Sequence, residues 1–275
     1  MSDDFSHKEI ISRVTVRNFR RMKQEGKKIA VLTAYDFPTA KILDDAGIDS
    51  ILVGDSSGSV VAGHSTTLPV TMDQMIYLTQ NVTRAARRAL VIGDMPFMSY
   101  QPSEEVAITN AGRFLKEAGA QAVKLEGGLE VAALIHRMVD FGIPVMGHIG
   151  LTPQSVNKFG GYLVMGKTER QRQYLMESAK ALQDAGCFAI VLESVITEVA
   201  KEISESIRIP TIGIGAGPYC DGQVLVISDM IGLFEEFRPK FVRAYANVAG
   251  IIRKAASEYI DDVKKGNFPG KDESY

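Results

Sequence analysis

The chain has no tryptophan, only two cysteines and only four histidines. Cys187 and Cys220 make neither a disulfide framework nor a zinc site, so reduced thiols are expected. Basic residues do not outnumber acidic ones: the net charge is -2, which argues against nucleic acid or an anionic membrane as the main partner. No apolar run is long enough to span a bilayer. The opening segment, "MSDDFSHKEI", is polar and begins acidic, unlike a secretory signal or a typical transit peptide. Low-complexity segments and interdomain linkers are missing too. These absences together lead us to expect a soluble, cytoplasmic protein.

What is present is ordinary in amount and distinctive in order. Hydrophobic residues make up 45% and charged residues 23% of 275 residues, and one α/β barrel takes about 250. Eight short apolar runs recur: "KIAVLTAYD" from Lys28, "SILVGD" from Ser50, "ALVIGD" from Ala89, "QAVKLEG" from Gln121, "IPVMGH" from Ile143, "CFAIVLES" from Cys187, "IPTIGIGAG" from Ile209 and "QVLVISD" from Gln223. They are rich in Val, Ile and Leu and alternate little, as strands buried on both faces do.

Helical patterns lie between them. Thr71 with Gln74, and Thr168 with Gln171, read as capping boxes. Ser103 after Pro102 opens another helix. Leu175, Ala179 and Leu182 form an apolar stripe, and Gly186 suits a left-handed helix end. Alternating strand and helix, eight times over, predicts a single (β/α)8 TIM barrel of the α/β class. An open doubly wound sheet is the competing fold, but no Gly-x-Gly-x-x-Gly follows the first strand. One domain over residues 1–275 is expected. Residues 1–27 would be an N-terminal extension whose helix, 16–24, plugs the barrel floor. A long final helix over 239–263 and a polar tail, 264–275, complete it.

The strands of such a barrel all end at one mouth, where barrel enzymes keep their chemistry. The runs end in Asp36, Asp55 with Ser56, Asp94, Glu126 with Lys124 two residues before it, His148, Glu193 with Ser194, the glycines 215–217, and Asp229. Three to five acids facing one small volume repel one another unless a cation or proton compensates. Oxygen donors without convergent cysteines or several histidines favour Mg2+ over Zn2+. Such a cation suits an α-keto acid, whose carboxylate and ketone oxygens can both reach it and whose enolate it stabilises. Lys124 would balance charge or bind the substrate carboxylate, and Glu193 could remove a proton beside the ketone.

Each residue also has a plainer role open to it. Asp36, Asp229 and Glu193 can cap the helices that follow them. Lys124 can be an ion-pair partner of Glu126, His148 a core histidine, and "GIGAG" a tight turn instead of an anion site. The loops 56–71 and 149–167 are long enough to be lids. In the second, Phe159 and Tyr162 could cover a flat ring.

The segments "TAYD", "LVGDSSG", "GHSTTLPVT", "DMPFMSY", "VKLEGG", "PVMGHIGLTPQS", "GGY", "VLESV", "IPTIGIGAG", "DGQVLV" and "PKFVR" span about residues 29–243. In kind and order they resemble the ketopantoate hydroxymethyltransferase family. Ser57 departs from the larger apolar residue many relatives carry there. The resemblance implies a Mg2+-dependent barrel enzyme of pantothenate biosynthesis. It would move a hydroxymethyl group from 5,10-methylenetetrahydrofolate to 3-methyl-2-oxobutanoate, giving 2-dehydropantoate. It implies Asp55, Asp94 and Glu126 around the metal, with Glu126 acting through water. Asp55, Ser56, Asp94 and Lys124 would contact the keto acid, His148 would lie near the new hydroxyl, and Glu193 would be the general base. It also implies a homo-oligomer, often a decamer.

Three rival functions remain. A carbon–carbon lyase of the phosphoenolpyruvate mutase and isocitrate lyase kind shares metal and enolate, but relies on a Lys-Lys-Cys-Gly segment that this chain lacks. A Schiff-base aldolase would need Lys124 deprotonated, two residues from Glu126. A non-catalytic scaffold would gain nothing from the acids.

Overall fold

The computed structural model describes residues 12–161, 163–236 and 238–275. The polar opening segment and Tyr162 lie outside the described residues, as does the side chain of Phe159, so the ring-covering role expected of that pair is not addressed. Two compact units divide the chain, Met1–Val224 and Leu225–Tyr275.

The first unit contains the barrel. Its strands are β1 (Ile29–Thr33), β2 (Ser50–Val53), β3 (Leu90–Asp94), β4 (Ala122–Glu126), β5 (Val145–Gly150), β6 (Ala189–Glu193), β7 (Thr211–Ile214) and β8 (Gly222–Leu225). They close in sequence order, each described neighbour pair parallel. Alternate residues point inward. Val31, Leu52, Leu90, Ile92, Met146, Ala189, Val191 and Ile212 thereby fill the lower interior.

The helix Val16–Gln24 adds Phe19 to that cluster, fully buried and edge-on to Phe188 at 5.5 Å. A capping box between Thr15 and Asn18 starts it. At its far end Lys23 Nζ reaches Ser204 O at 2.7 Å, Ile209 O at 3.1 Å and Asp221 Oδ2 at 2.9 Å, just before β7 and β8 begin. The expected floor plug is therefore present and anchored.

Outside the strands, turn chemistry follows the sequence closely. Gly47, Gly119, Gly142 and Gly186 all take positive φ where their helices end. Thr71 and Gln74 make the expected capping box. At Thr168 only half of one forms: its side chain accepts from Gln171 N, while Gln171 Oε1 accepts from Lys167 N. Leu175, Ala179 and Leu182 are fully buried.

Several expectations need correction. Asp36 does not join the mouth; it is exposed and caps the helix Phe37–Asp45, accepting from Thr39 N at 2.8 Å. Asp229 lies in a short helix, Ile227–Met230, past the end of β8. The last helix is Val248–Lys265, not 239–263, because its cap is Asn247, whose side chain accepts from Gly250 N at 3.1 Å. This helix belongs to the second unit and leaves Ile251, Ile252, Tyr259, Ile260 and Val263 exposed. The two long loops are not structureless. Ser57–Val60 is a helical turn in one, and the turns Pro153–Ser155 and Val156–Phe159 are in the other.

Candidate active site

Parallel register delivers the polar residues side by side. Asp94 pairs across from Lys124, Glu126 from His148, and Gly150 from Glu193. Asp94, Lys124, His148 and Glu193 each sit two residues beyond an inward apolar position on their own strand, as in β3, where Leu90, Ile92 and Asp94 succeed one another, and Glu126 follows two residues after Lys124. The structure thus brings together six of the predicted residues: Asp55, Asp94, Lys124, Glu126, His148 and Glu193.

Lys124 is the hub. Its ammonium lies 2.8 Å from Asp94 Oδ1, 3.2 Å from His148 Nδ1 and 4.0 Å from Glu126 Oε1, and the residue is 3% exposed. An ammonium only donates, so His148 Nδ1 accepts and the ring proton sits on Nε2. That nitrogen is 3.2 Å from Glu193 Oε2, without the alignment of a hydrogen bond. Asp94 Oδ2 accepts from the backbone N–H of Asp55 at 3.1 Å. Ser56 Oγ meets the Tyr35 hydroxyl at 2.8 Å. Gly54 permits this turn, since a Cβ there would stand 2.6 Å from Ser56 Oγ.

Glu193 stands apart in exposure, with 16% of its side chain open. Its backbone is strapped down. Glu193 O accepts from Leu151 N at 2.8 Å, and Ser194, at φ 49°, donates to Ile214 O at 2.8 Å. Gly150 has φ 101°, and a Cβ there would lie 2.2 Å from Glu193 O, so only glycine fits. Met165 N donates to Ser194 O at 2.7 Å, fastening the far end of the loop 149–167 to β6.

Several carboxylates crowd one ammonium, and the protonation of Asp94, Glu126 and Glu193 reflects it. Burial pushes Asp94 up to about 7, opposed by Lys124 and reinforced by Asp55. Burial raises Glu126 well above the usual carboxylate range, with Lys124 again opposing and Asp55 and Asp94 adding. Burial alone would lower Lys124, but Asp94, Glu126 and Asp55 outweigh it and hold the ammonium above its ordinary value. His148 falls well below its ordinary value through burial and the Lys124 charge, and is a neutral imidazole. Glu193 is pushed up to about 7 by burial, against the pull of Lys124.

Among the described residues, no three of His, Cys, Asp and Glu stand in an arrangement that could hold a metal ion. The donor chemistry of the expected set nonetheless fits a hard cation. Asp55, Asp94 and Glu126 offer only carboxylate oxygens, and Glu126 Oε1 is buried without a hydrogen bond. As they stand, these acids are held by Lys124 and by Gln154.

Gln154, Tyr100 and Tyr35 are the participants that sequence reasoning missed. Gln154 Nε2 donates to Asp55 Oδ2 at 2.8 Å, and its backbone N–H donates to Glu126 Oε2 at 3.0 Å. Tyr100 donates its hydroxyl to Gln154 Oε1 at 2.7 Å and accepts from Glu126 N at 3.3 Å. The segments holding them, "GLTPQS", "DMPFMSY" and "TAYD", were conspicuous, but nothing in them pointed to these contacts.

A closed parallel barrel with buried acids, a lysine and a histidine converging at the C-terminal ends of its strands is a barrel enzyme. Comparison with known proteins makes the class specific. The chain belongs to the ketopantoate hydroxymethyltransferase family, whose model matches residues 13–271. It is 57% identical over 263 residues to the 3-methyl-2-oxobutanoate hydroxymethyltransferase of Syntrophotalea carbinolica, covering 96% of this chain and 98% of that one. It is 54% identical over 263 residues to the enzyme of the same name from Syntrophus aciditrophicus, covering 96% and 97%. Among solved structures, 2,3-dimethylmalate lyase of the PEP mutase/isocitrate lyase superfamily superposes with a TM-score of 0.59. The two share 17% identity over 93% of this chain and 89% of the other. That likeness is one of fold.

Proposed function

We propose that the chain transfers a hydroxymethyl group from 5,10-methylenetetrahydrofolate to 3-methyl-2-oxobutanoate, forming 2-dehydropantoate for pantothenate biosynthesis. Family membership supports the overall reaction. The observation that carries the mechanism is the separation of roles among the acids. Asp94 and Glu126 are buried beside Lys124, whereas Glu193 reaches the open rim, with His148 Nε2 3.2 Å from its carboxylate.

Asp55, Asp94 and Glu126 would hold Mg2+, which when bound supplies a Lewis acid toward the keto acid's oxygens. Lys124 and Ser56 would orient the substrate carboxylate. Glu193 Oε2 would take the proton from the branched carbon, leaving the C–H electron pair in an enolate. That carbon then forms the new bond to the one-carbon unit, whose hydroxyl oxygen comes from water, and tetrahydrofolate departs. His148, neutral and carrying its proton on Nε2, would steady the new hydroxyl. An inflection near 7 suits Glu193 to act as a base around neutral pH.

The test is deuterium exchange at the branched carbon, followed by NMR with Mg2+ and keto acid and without folate. Glu193→Gln should bind both yet lose exchange by roughly a hundredfold or more. Normal exchange would remove Glu193 from the base role; the helix-cap role also open to it is not the one it takes, since Ile196 is the cap of the helix Thr197–Ser206. Asp55→Ala and Asp94→Ala should stay folded and lose Mg2+ binding; unchanged Mg2+ dependence would remove them from the metal set. We also propose a homo-oligomer in the cytoplasm. The apolar side chains exposed along Val248–Lys265 support self-association, and no described helix is long and apolar enough to cross a membrane.

A further inference from the structure

One loop residue touches two carboxylates that come from different strands. Gln154, 5% exposed, sits in the turn Pro153–Ser155 after β5. Its side chain donates to Asp55 Oδ2 at 2.8 Å, beyond the end of β2, and its main chain donates to Glu126 Oε2 at 3.0 Å, at the end of β4. The amide is itself fixed at both ends. Nε2 also donates to Met95 O at 2.9 Å, and Oε1 accepts from the Tyr100 hydroxyl at 2.7 Å. Those two contacts leave the NH2 facing Asp55, because the opposite flip would set the amide oxygen against a carboxylate and a carbonyl.

Carboxylates that hold cations depend on such partners to fix their orientation, and losing one costs roughly 10- to 100-fold in metal affinity. A core that merely needed filling would accept methionine at this position. The hydrogen bonds here instead end on Asp55 and Glu126, members of the proposed cation set.

We infer that Gln154 is a positioning residue for the cation site, holding Asp55 and Glu126 in place from the loop that follows β5. The inference rests on the reading that these carboxylates bind Mg2+. It links the loop to the site: Gln154 can hold Asp55 only while the turn Pro153–Ser155 is formed, and the backbone bond from Ser155 N to Thr152 O at 2.8 Å closes that turn.

The experiment is Mg2+ binding by titration calorimetry on full-length protein without substrates, paired with the Mg2+ dependence of deuterium exchange. Gln154→Met keeps the shape and removes the side-chain donor. It should weaken Mg2+ roughly 10- to 100-fold and raise the half-saturating Mg2+ in exchange by the same factor. The plateau rate at saturating Mg2+ should stay near that of the parent. Parent-like Mg2+ affinity in folded Gln154→Met overturns the inference and leaves the function standing. A lowered plateau with unchanged half-saturation also overturns it, since that is what general damage to the site produces. Failure of the parent itself to bind Mg2+ overturns the inference together with the cation reading. Should Gln154→Met fail to fold, Tyr100→Phe carries the same test. Freeing the amide to turn, it should weaken Mg2+ several-fold, and unchanged affinity there refutes the inference.

Discussion

At its N-terminal end the barrel interior is hydrocarbon: Val31, Leu90, Ala189 and Phe19 lie in one cluster. At the other end the same strands present Asp94, Lys124, Glu126, His148 and Glu193. Burial does not distinguish the ends, because Asp94, Lys124, Glu126 and His148 are as hidden as the leucines. What differs is what each residue does to stability. One inward step along a strand, two residues or about 6.6 Å, changes its sign. The lower cluster holds the fold together, whereas the upper one carries like charges that protonate or pair to be tolerated. Stability and chemistry occupy opposite ends of one structure.

The sharpest way to break this division is to remove the hub. Lys124→Met removes the buried counter-charge of these carboxylates and should cost about 3–5 kcal/mol near pH 8. The cost has a definite pH sign. Without the ammonium, Asp94 and Glu126 move still further above their unfolded values. Stability is then kept at low pH, where they are protonated in both states, and lost as pH rises through the folded values. Denaturant unfolding at pH 5 and pH 8 should show a deficit that shrinks on acidification, and an equal deficit would contradict the electrostatic account.

At the floor, Phe19→Ala should cost a similar 3–5 kcal/mol through lost burial and a cavity. No pH trend is expected, and proton exchange per folded molecule should be unaffected. A fall in exchange at constant folded fraction would mean that the two ends are coupled.

A smaller effect is expected at the rim. Glu193, raised to about 7 by burial, adds stability below its unfolded value and loses it as pH climbs through about 7. Glu193→Gln should therefore be more stable than the parent at pH 8, by about 2 kcal/mol, with the gap closing by pH 5. In the parent, exchange should rise with pH through the same region. Thermal melts and pH-rate profiles across pH 5–9 check both.

The smallest effect belongs to an acid excluded from the mouth. Asp36→Ala should lose about 1 kcal/mol as a helix cap and leave exchange intact. A tenfold fall in exchange would return Asp36 to the site.

Much of this was legible in the sequence. Eight apolar runs predict the barrel because parallel strands are buried on both faces, and the acids after "SILVG" and "ALVIG" predict the mouth. Asp36 and Asp229 stayed open between mouth and helix start, because an aspartate after an apolar run suits either: Asp36 caps a helix, and Asp229 lies in the first turn of another. The final helix, expected from 239, starts only after Asn247, whose side chain accepts from Gly250 N. Gln154 and Tyr100 could not be found by pattern. They lie in loops without periodicity, and closure of the barrel brings them beside acids up to 99 residues away in sequence.

Gly93 carries a consequence for which substitutions the enzyme can tolerate. A Cβ there would fall 2.2 Å from Phe114 Cδ1, so the ring of a surrounding helix lies directly against the strand that ends in Asp94. Changes on the outer wall can therefore reach the chemistry without touching it. A variant with a bulkier residue at 93 must move either the ring or the strand, and the strand carries the carboxylate. Substitutions at 93 and 114 are therefore expected to be coupled, each tolerated according to the size of the other.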